Sequence, residues 1–202
     1  MTDIKRIIQG RTPEEIGDKE RFRCAVCIAM LEKPEGHEVI FEVRASTIPS
    51  QPGDVCLPGG AIEEGETSRE AAVRETCEEL LIQPEQIEII GEADTFRTGN
   101  LLIHPYVAVI KDYQGTYSTD EVESVFTVPL QFFLETKPEE YIVPYEPQFG
   151  EDFPFDRIVG GKDYKWRQVE QKTLFYQYEY HTIWGFTALL MNSFGKILRR
   201  EV

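Results

Sequence analysis

The stretch Gly60–Ile82 constrains the fold of this chain more than any other. It reads GAIEEGETSREAAVRETCEELLI and follows a tight Pro58-Gly59-Gly60 turn. Its periodicity predicts a helix. Successive helical residues rotate by roughly 100°, so with Glu75 at zero, Glu79 falls near 40° and Glu78 near −60°. The three carboxylates share one arc. Val73, Cys77, Leu80 and Leu81 gather on the far side, where they can face a core. Three like charges on one helix face repel each other. They are explained either as a solvated acidic surface or as ligands of a hard divalent cation, since Mg²⁺ and Mn²⁺ take oxygen ligands.

Spacing favours the second explanation. Gly60, Glu66, Arg74, Glu75, Glu78 and Glu79 fall at the intervals of the pattern G-x5-E-x7-R-E-U-x-E-E-x-G-U, where U is a bulky apolar residue. The segment resembles the signature of the Nudix hydrolase family at each charged position and at the leading glycine. Two positions depart from it. Thr76 stands where an apolar residue is usual, and Leu81 stands where the pattern has glycine. Glycine there suits a left-handed helix cap, whereas leucine is strained in that conformation. The expectation is therefore a helix that runs on to Gln83, before Pro84 stops it.

The run Phe41–Gly60, FEVRASTIPSQPGDVCLPGG, resembles a second motif, roughly L-L-T-x-R-[SA]-x3-R-x3-G-x3-F-P-G-G, of the coenzyme A diphosphatase branch of that family. Arg44, Ala45, Gly53, Pro58, Gly59 and Gly60 match, while Pro49 replaces the second arginine and Leu57 the phenylalanine. Near the other end, IWGFTALLMNSF (183–194) resembles the last helix of the branch. The resemblance spans about residues 22 to 197.

The resemblance implies a Nudix-type α/β/α sandwich with a mixed sheet, its box forming a loop-helix-loop. It implies one such domain over 1–202, with an insertion or lid at 137–172. It also implies metal-dependent cleavage of a diphosphate linked to a nucleoside, with Mg²⁺ or Mn²⁺ as cofactor. Coenzyme A is the substrate expected first, giving 3′,5′-ADP and 4′-phosphopantetheine. ADP-ribose or another nucleotide, and a binding module without turnover, are the alternatives. Glu75, Glu79 and Glu78 become the metal ligands, joined by the Gly60 carbonyl and by Glu121 from the loop STDEVESV. Glu78, Glu75 and Arg74 form the catalytic set, Arg74 fixing a carboxylate rotamer. Arg44, Gly59 and Gly60 are expected at the substrate. Glu66 can be structural only, at a helix start. The general base is left open between Glu78 and a later carboxylate.

Composition bounds the partners. The 202 residues carry 36 acidic and 21 basic side chains, a formal charge of −15. That argues against non-specific binding to nucleic acid or anionic membrane. A polyanionic substrate must instead be drawn in by local charge. No run reaches the ~20 apolar residues that span a bilayer, and the first residues lack the apolar core of a secretory signal, so a cytoplasmic location is expected. Cys24 and Cys27 spell C-x-x-C, but on a strand they point to opposite faces, and no second pair has zinc spacing.

The remaining elements read as follows. Residues 2–8 are a short helix and Thr12-Pro13-Glu14-Glu15 a turn. Strands cover 21–31 and 38–44, joined by a Pro34-Glu35-Gly36 turn. Strands 86–95 and 101–111 pair across Thr98-Gly99-Asn100. A strand at 123–128 leads into a helical turn opened by Pro129. Residues 137–172 form a hairpin or lid, and their aromatic side chains (Tyr141 to Trp166) can wall a substrate arm or meet a second copy in a homodimer. A strand at 173–180 precedes an amphipathic helix over 182–198. His104 and His181 are read as structural.

Overall fold

A computed structural model describes residues 22–199. The expected helix at 2–8 and turn at 12–15 lie outside the described residues. Eleven strands and three α-helices follow in order: β1 Phe22–Lys33, β2 Gly36–Arg44, β3 Val55–Cys56, β4 Gly59–Ala61, α1 Ser68–Leu80, β5 Ile87–Glu92, β6 Phe96–Thr98, β7 Leu101–Ile110, β8 Val122–Pro129, α2 Leu130–Glu135, β9 Glu139–Tyr145, β10 Val169–Tyr178, β11 His181–Trp184 and α3 Gly185–Leu198.

The main sheet is mixed. Its path is β3-β2-β1-β7-β5, with β4 on β1, β6 on β7 and β8 on β2. β1 and β7 run parallel from Phe22↔Leu101 to Met30↔Val109. β2 pairs with β1 only from Met30↔Val39 to Lys33↔Gly36, while β4 takes the other end of β1, Cys24↔Ala61 to Val26↔Gly59. β2 therefore parts from β1, and β3 and β4 fill the wedge between them. The functional residues collect in that wedge.

Alternation along the strands sends side chains to opposite faces. One face of the sheet presents Ile28, Met30, Val39, Phe41, Ile103 and Val107 to the second layer, where they pack with Phe133 of α2 and Ala188, Leu190, Met191 and Phe194 of α3. The other face presents small residues, Ala25, Cys27, Ala29 and Ala108, beneath α1, whose Ala71 and Ala72 are also fully buried. Small side chains on both partners bring the helix close to the sheet. A three-stranded antiparallel sheet, β11-β10-β9, contributes Leu174, Tyr176 and Ile183 to the first core. Residues 137–172 hold β9 and the start of β10, which pair as an antiparallel hairpin.

Local chemistry sets the limits of α1. Thr67 caps its start: the Glu70 N–H donates to Thr67 Oγ1 at 3.2 Å, and the Thr67 N–H donates to the Glu70 carboxylate at 2.9 Å. This reciprocal T-x-x-E pair is a capping box. Three sequence expectations need correction. The helix does not run to Gln83; it stops at Leu80, and Leu81 itself takes the left-handed conformation, φ 53° and ψ 48°, its N–H donating to the Cys77 carbonyl. The inward face does not include Val73 or Leu81, and Cys77 joins it only partly buried, at the edge of the core beneath the helix. That face is Ala72, Thr76, Glu79 and Leu80, while Leu81 is exposed. Thr76 tolerates burial because its hydroxyl donates to the Ala72 carbonyl at 2.7 Å. Finally, residues 181–184 belong to β11, because His181–Trp184 pairs with Phe175–Tyr178. His181 thus begins a strand, stacked on Phe126 at 3.6 Å between ring centroids.

A leucine held left-handed costs roughly 1–2 kcal/mol, and Leu81 recovers little of that through packing, being 58% exposed. Leu81→Gly relieves the strain, offset in part by the looser unfolded chain. The expected net gain is about 0.5–1 kcal/mol, read as a higher midpoint in urea unfolding.

Candidate active site

The wedge is built on two glycines. A Cβ on Gly59 would lie 2.4 Å from the Ala25 carbonyl oxygen and 2.5 Å from Val26 Cα, and Gly59 has φ +147°. A Cβ on Gly60 would lie 2.5 Å from the Glu75 carboxylate carbon. The Glu75 carboxylate therefore rests directly against the backbone at Gly60. The Gly59 N–H donates to Glu79 Oε2 at 2.7 Å. One side-chain-free strand thus carries both helix carboxylates.

Arg74 organises the outer half. Its Nε and Nη2 bind Glu66 at 2.9 and 3.0 Å, a bidentate pair. Its Nη1 binds Glu75 at 2.9 Å and lies 3.5 Å from Glu78, while Nη2 also reaches the Ala61 carbonyl at 3.1 Å. Arg74 is thus paired with Glu75, the carboxylate that lies against Gly60. Glu66 lies before the N-cap, and its partner is Arg74, so the helix terminus is served by Glu70 instead. The Glu78 side chain is 63% exposed.

The end of α1 is stitched to the acidic loop. Thr116 Oγ1 donates to the Leu80 carbonyl at 2.6 Å, and the Ser118 N–H donates to the Glu79 carbonyl at 2.7 Å. These bonds satisfy carbonyls that a helix C-terminus leaves open. The Glu121 carbonyl accepts the Ala45 N–H at 2.8 Å, at the end of β2. Glu121 is thereby held near enough for its charge to act on Glu42, Glu75 and Glu79.

Sequence reasoning missed Glu42. It is 1% exposed on the face of β2 that looks toward α1, and it meets Glu79, itself 4% exposed. Burial first, and then the neighbouring carboxylate, pushes the pKa of Glu42 up. Burial likewise raises Glu79, opposed by the Gly59 N–H. Burial also raises Glu75, against the pull of Arg74. Glu42 Oε1 has no hydrogen-bond partner. The available signal was an acid inside an otherwise apolar run, Val39-Ile40-Phe41-Glu42-Val43.

Arg44 sits two residues on, where the β2–β8 register slips between Val43 and Arg44. Its Nε donates to the Ser50 carbonyl at 3.1 Å. It opens onto a cavity of about 360 Å³ whose walls include Cys56, Tyr145, Phe175, Trp184 and Phe186. The β9–β10 hairpin forms one side of it. His104 Nδ1 is paired with Glu92 at 2.9 Å, and its Nε2 is buried without a hydrogen-bond partner.

The donor set suits a hard divalent ion: it is all oxygen, strongly negative, and contains a buried carboxylate oxygen with no partner. As the side chains lie, no three His, Cys, Asp or Glu groups among the described residues enclose an ion site. Arg74 engages Glu75 and Glu78, so closing such a site requires those side chains to turn from it. Among the described residues no helix is long and apolar enough to cross a membrane.

The family model described as the NUDIX domain matches residues 21–149. The chain is 33% identical over 132 residues to a peroxisomal coenzyme A diphosphatase of Mus musculus, covering 64% of this chain and 55% of the relative. It is 26% identical over 187 residues to an uncharacterized Nudix hydrolase, NudL, of Photorhabdus laumondii, covering 91% and 88%. A crystal structure of a MutT/nudix family protein from Enterococcus faecalis superposes with a TM-score of 0.52 at 15% identity, over 96% of this chain and 68% of that one, a likeness of fold. The chain spans 55% to 59% of the length of the mouse, Caenorhabditis elegans and Arabidopsis thaliana relatives it matches.

The buried carboxyls have a consequence for the metal-free protein. Their folded pKa values lie above the unfolded ones, so the folded chain keeps protons that the unfolded chain has released. That stabilisation is complete below the ordinary carboxylate range and is lost as pH rises through the raised values. In chelator, the melting temperature is expected to fall by several degrees from weakly acidic to mildly alkaline pH. Glu42→Gln is expected to flatten the fall, as followed by circular dichroism.

Proposed function

Because the chain belongs to the Nudix family, we propose that it is a metal-dependent diphosphatase acting on coenzyme A or its derivatives, releasing 3′,5′-ADP and 4′-phosphopantetheine. The observation that carries this reading is the adjacency of the carboxylate wedge to Arg44 and its aromatic cavity. A diphosphate at the wedge can be gripped by Arg44 while an arm of the substrate enters the cavity. The altered upstream motif keeps Arg44, Gly59 and Gly60, and the mouse relative's name is that of a coenzyme A diphosphatase.

Mg²⁺ or Mn²⁺, held by Glu75, Glu79, Glu78, Glu121 and the Gly60 carbonyl, supplies charge neutralisation for the diphosphate and its transition state when bound. The chain's own residues do the rest. Gly59 and Gly60, whose side-chain space is taken by β1 and by Glu75, bring the strand and its carboxylates together beside the substrate. Arg74 keeps Glu75 beside Gly60 in the metal-free chain, the position from which Glu75 turns to the ion. Arg44 offsets charge on the phosphates. Water attacks one phosphorus, the bridging P–O bond breaks, and the second phosphate departs with the bridging oxygen. Glu78, the most solvent-open of the three helix carboxylates, accepts the proton that the water gives up. Trp184 and Phe175, stacked with centroids 5.6 Å apart, wall the substrate arm.

The test is turnover with Mg²⁺ and with Mn²⁺ on coenzyme A, ADP-ribose, diadenosine polyphosphates and nucleoside triphosphates, with products identified. Dominant release of 4′-phosphopantetheine is expected; preference for another diphosphate overturns the substrate, and silence on all of them favours a binding module. Glu79→Gln, which can still accept the Gly59 N–H, is expected to lower kcat at least about 100-fold while the chain stays folded. Trp184→Ala is expected to raise KM for coenzyme A with kcat little changed, because it removes binding that is equal in ground and transition states.

A further inference from the structure

The roles above leave Glu42 unused, although it is the most deeply buried carboxylate of the wedge. It is 1% exposed, and its Oε1 has no partner. The Cys56 thiol lies 4.0 Å from its Oε2, and its carboxyl group as a whole meets Glu79. The charged groups that face it are Glu79 of α1, Arg44 of its own strand and Glu121 of the acidic loop. Among the described residues no lysine or arginine lies within ion-pairing distance of Glu42 or Glu79. Two carboxylates buried together without a cation are costly, and a bare buried oxygen calls for a partner.

We propose that Glu42 is a further ligand of the divalent ion, offering Oε1 alongside Glu79, so that the ion is held from strand β2 as well as from helix α1. This inference rests on the reading of the wedge as a metal site. Four observations support it: depth, the buried oxygen without a hydrogen-bond partner, the absence among the described residues of an ion-paired lysine or arginine, and contact with a box glutamate from the opposite element. A hard ion accepts oxygens from several directions, and Glu42 adds one from β2 to those offered by α1, by Gly60 and by the acidic loop. Ligation from two elements also fixes the gap between β2 and α1, in which Arg44 must reach the substrate.

The test measures metal binding separately from turnover. Mn²⁺ is titrated into the full chain, wild type and Glu42→Gln, by calorimetry and by the electron paramagnetic resonance signal of free Mn²⁺. Glutamine keeps the volume and can still donate a hydrogen bond to Glu79, so a role limited to orienting Glu79 leaves affinity unchanged. Ligation predicts a loss of affinity of about tenfold or more, with a melting temperature in chelator no lower than wild type. Wild-type affinity in Glu42→Gln, alongside a loss in Glu79→Gln, overturns the role of Glu42 and leaves the metal site standing. Wild-type affinity in both variants, or no Mn²⁺ binding by the wild type, overturns Glu42 and the metal reading together. Should Glu42→Gln fail to fold, Glu42→Asp is read in the same assay. It keeps the charge but withdraws the oxygens by one methylene, and undiminished affinity there counts against ligation.

Discussion

Everything at the wedge depends on two residues that have no side chain. Gly59 passes so close to Ala25 and Val26 that a methyl group would overlap β1, and Gly60 passes so close to Glu75 that a methyl group would displace its carboxylate. With both Cβ positions vacant, β4 can pair with β1, and α1 can lie directly on that strand. Glu79 then receives the Gly59 N–H and Glu75 covers Gly60. The rest of the site is arranged around this contact. Small residues beneath α1 give the same close approach further along the sheet, so the helix is lowered over its whole length rather than at one point.

Electrostatics divides the site into two halves. In the outer half Arg74 binds Glu66 and Glu75 and reaches toward Glu78, and those carboxylates have a resident cation. In the inner half, among the described residues, Glu42 and Glu79 meet each other, the Cys56 thiol and the Gly59 N–H, with Arg44 acting from further off. A chain with formal charge −15 has no general attraction for a polyanion. Local positive charge has to do that work, and the positions that need it are the ones where acids are buried without a partner. Substrate attraction and cation binding are in this sense one electrostatic problem.

The second sheet gives the wedge its depth. β10 and β11 pack Leu174, Tyr176 and Ile183 into the main core, which fixes the hairpin firmly enough for Phe175 and Trp184 to present a rigid wall. α3 starts from that wall, and Thr187 bonds the Val55 carbonyl at 3.2 Å, tying the helix start to β3. The cavity beside Arg44 is therefore made of core elements on one side and the hairpin on the other. A rigid apolar wall next to a charged grip suits a substrate with a diphosphate in its middle and an extended arm.

The sequence by itself determined the helix, its charged set and the turn before it, because these depend on short, fixed intervals. The Thr98-Gly99-Asn100 turn likewise marked a pair of strands, which in the structure close over Gly99 and Asn100. The start of β11 was hidden inside a helical period, because Ile183 and Trp184 suit either structure until β10 pairs with them. Leu81 was expected to avoid the left-handed cap. Tertiary structure placed it there, since Thr116 and Ser118 bind the last carbonyls and Ile82 must turn inward to the core. Glu42 could not be recognised from periodicity alone. Its face depends on the register of β2 against β1, and its partner Glu79 comes from a helix 37 positions away in the sequence. Local spacing dictates which residues share a helix face. Which oxygen is left without a partner in the interior is decided only when strand and helix are packed together.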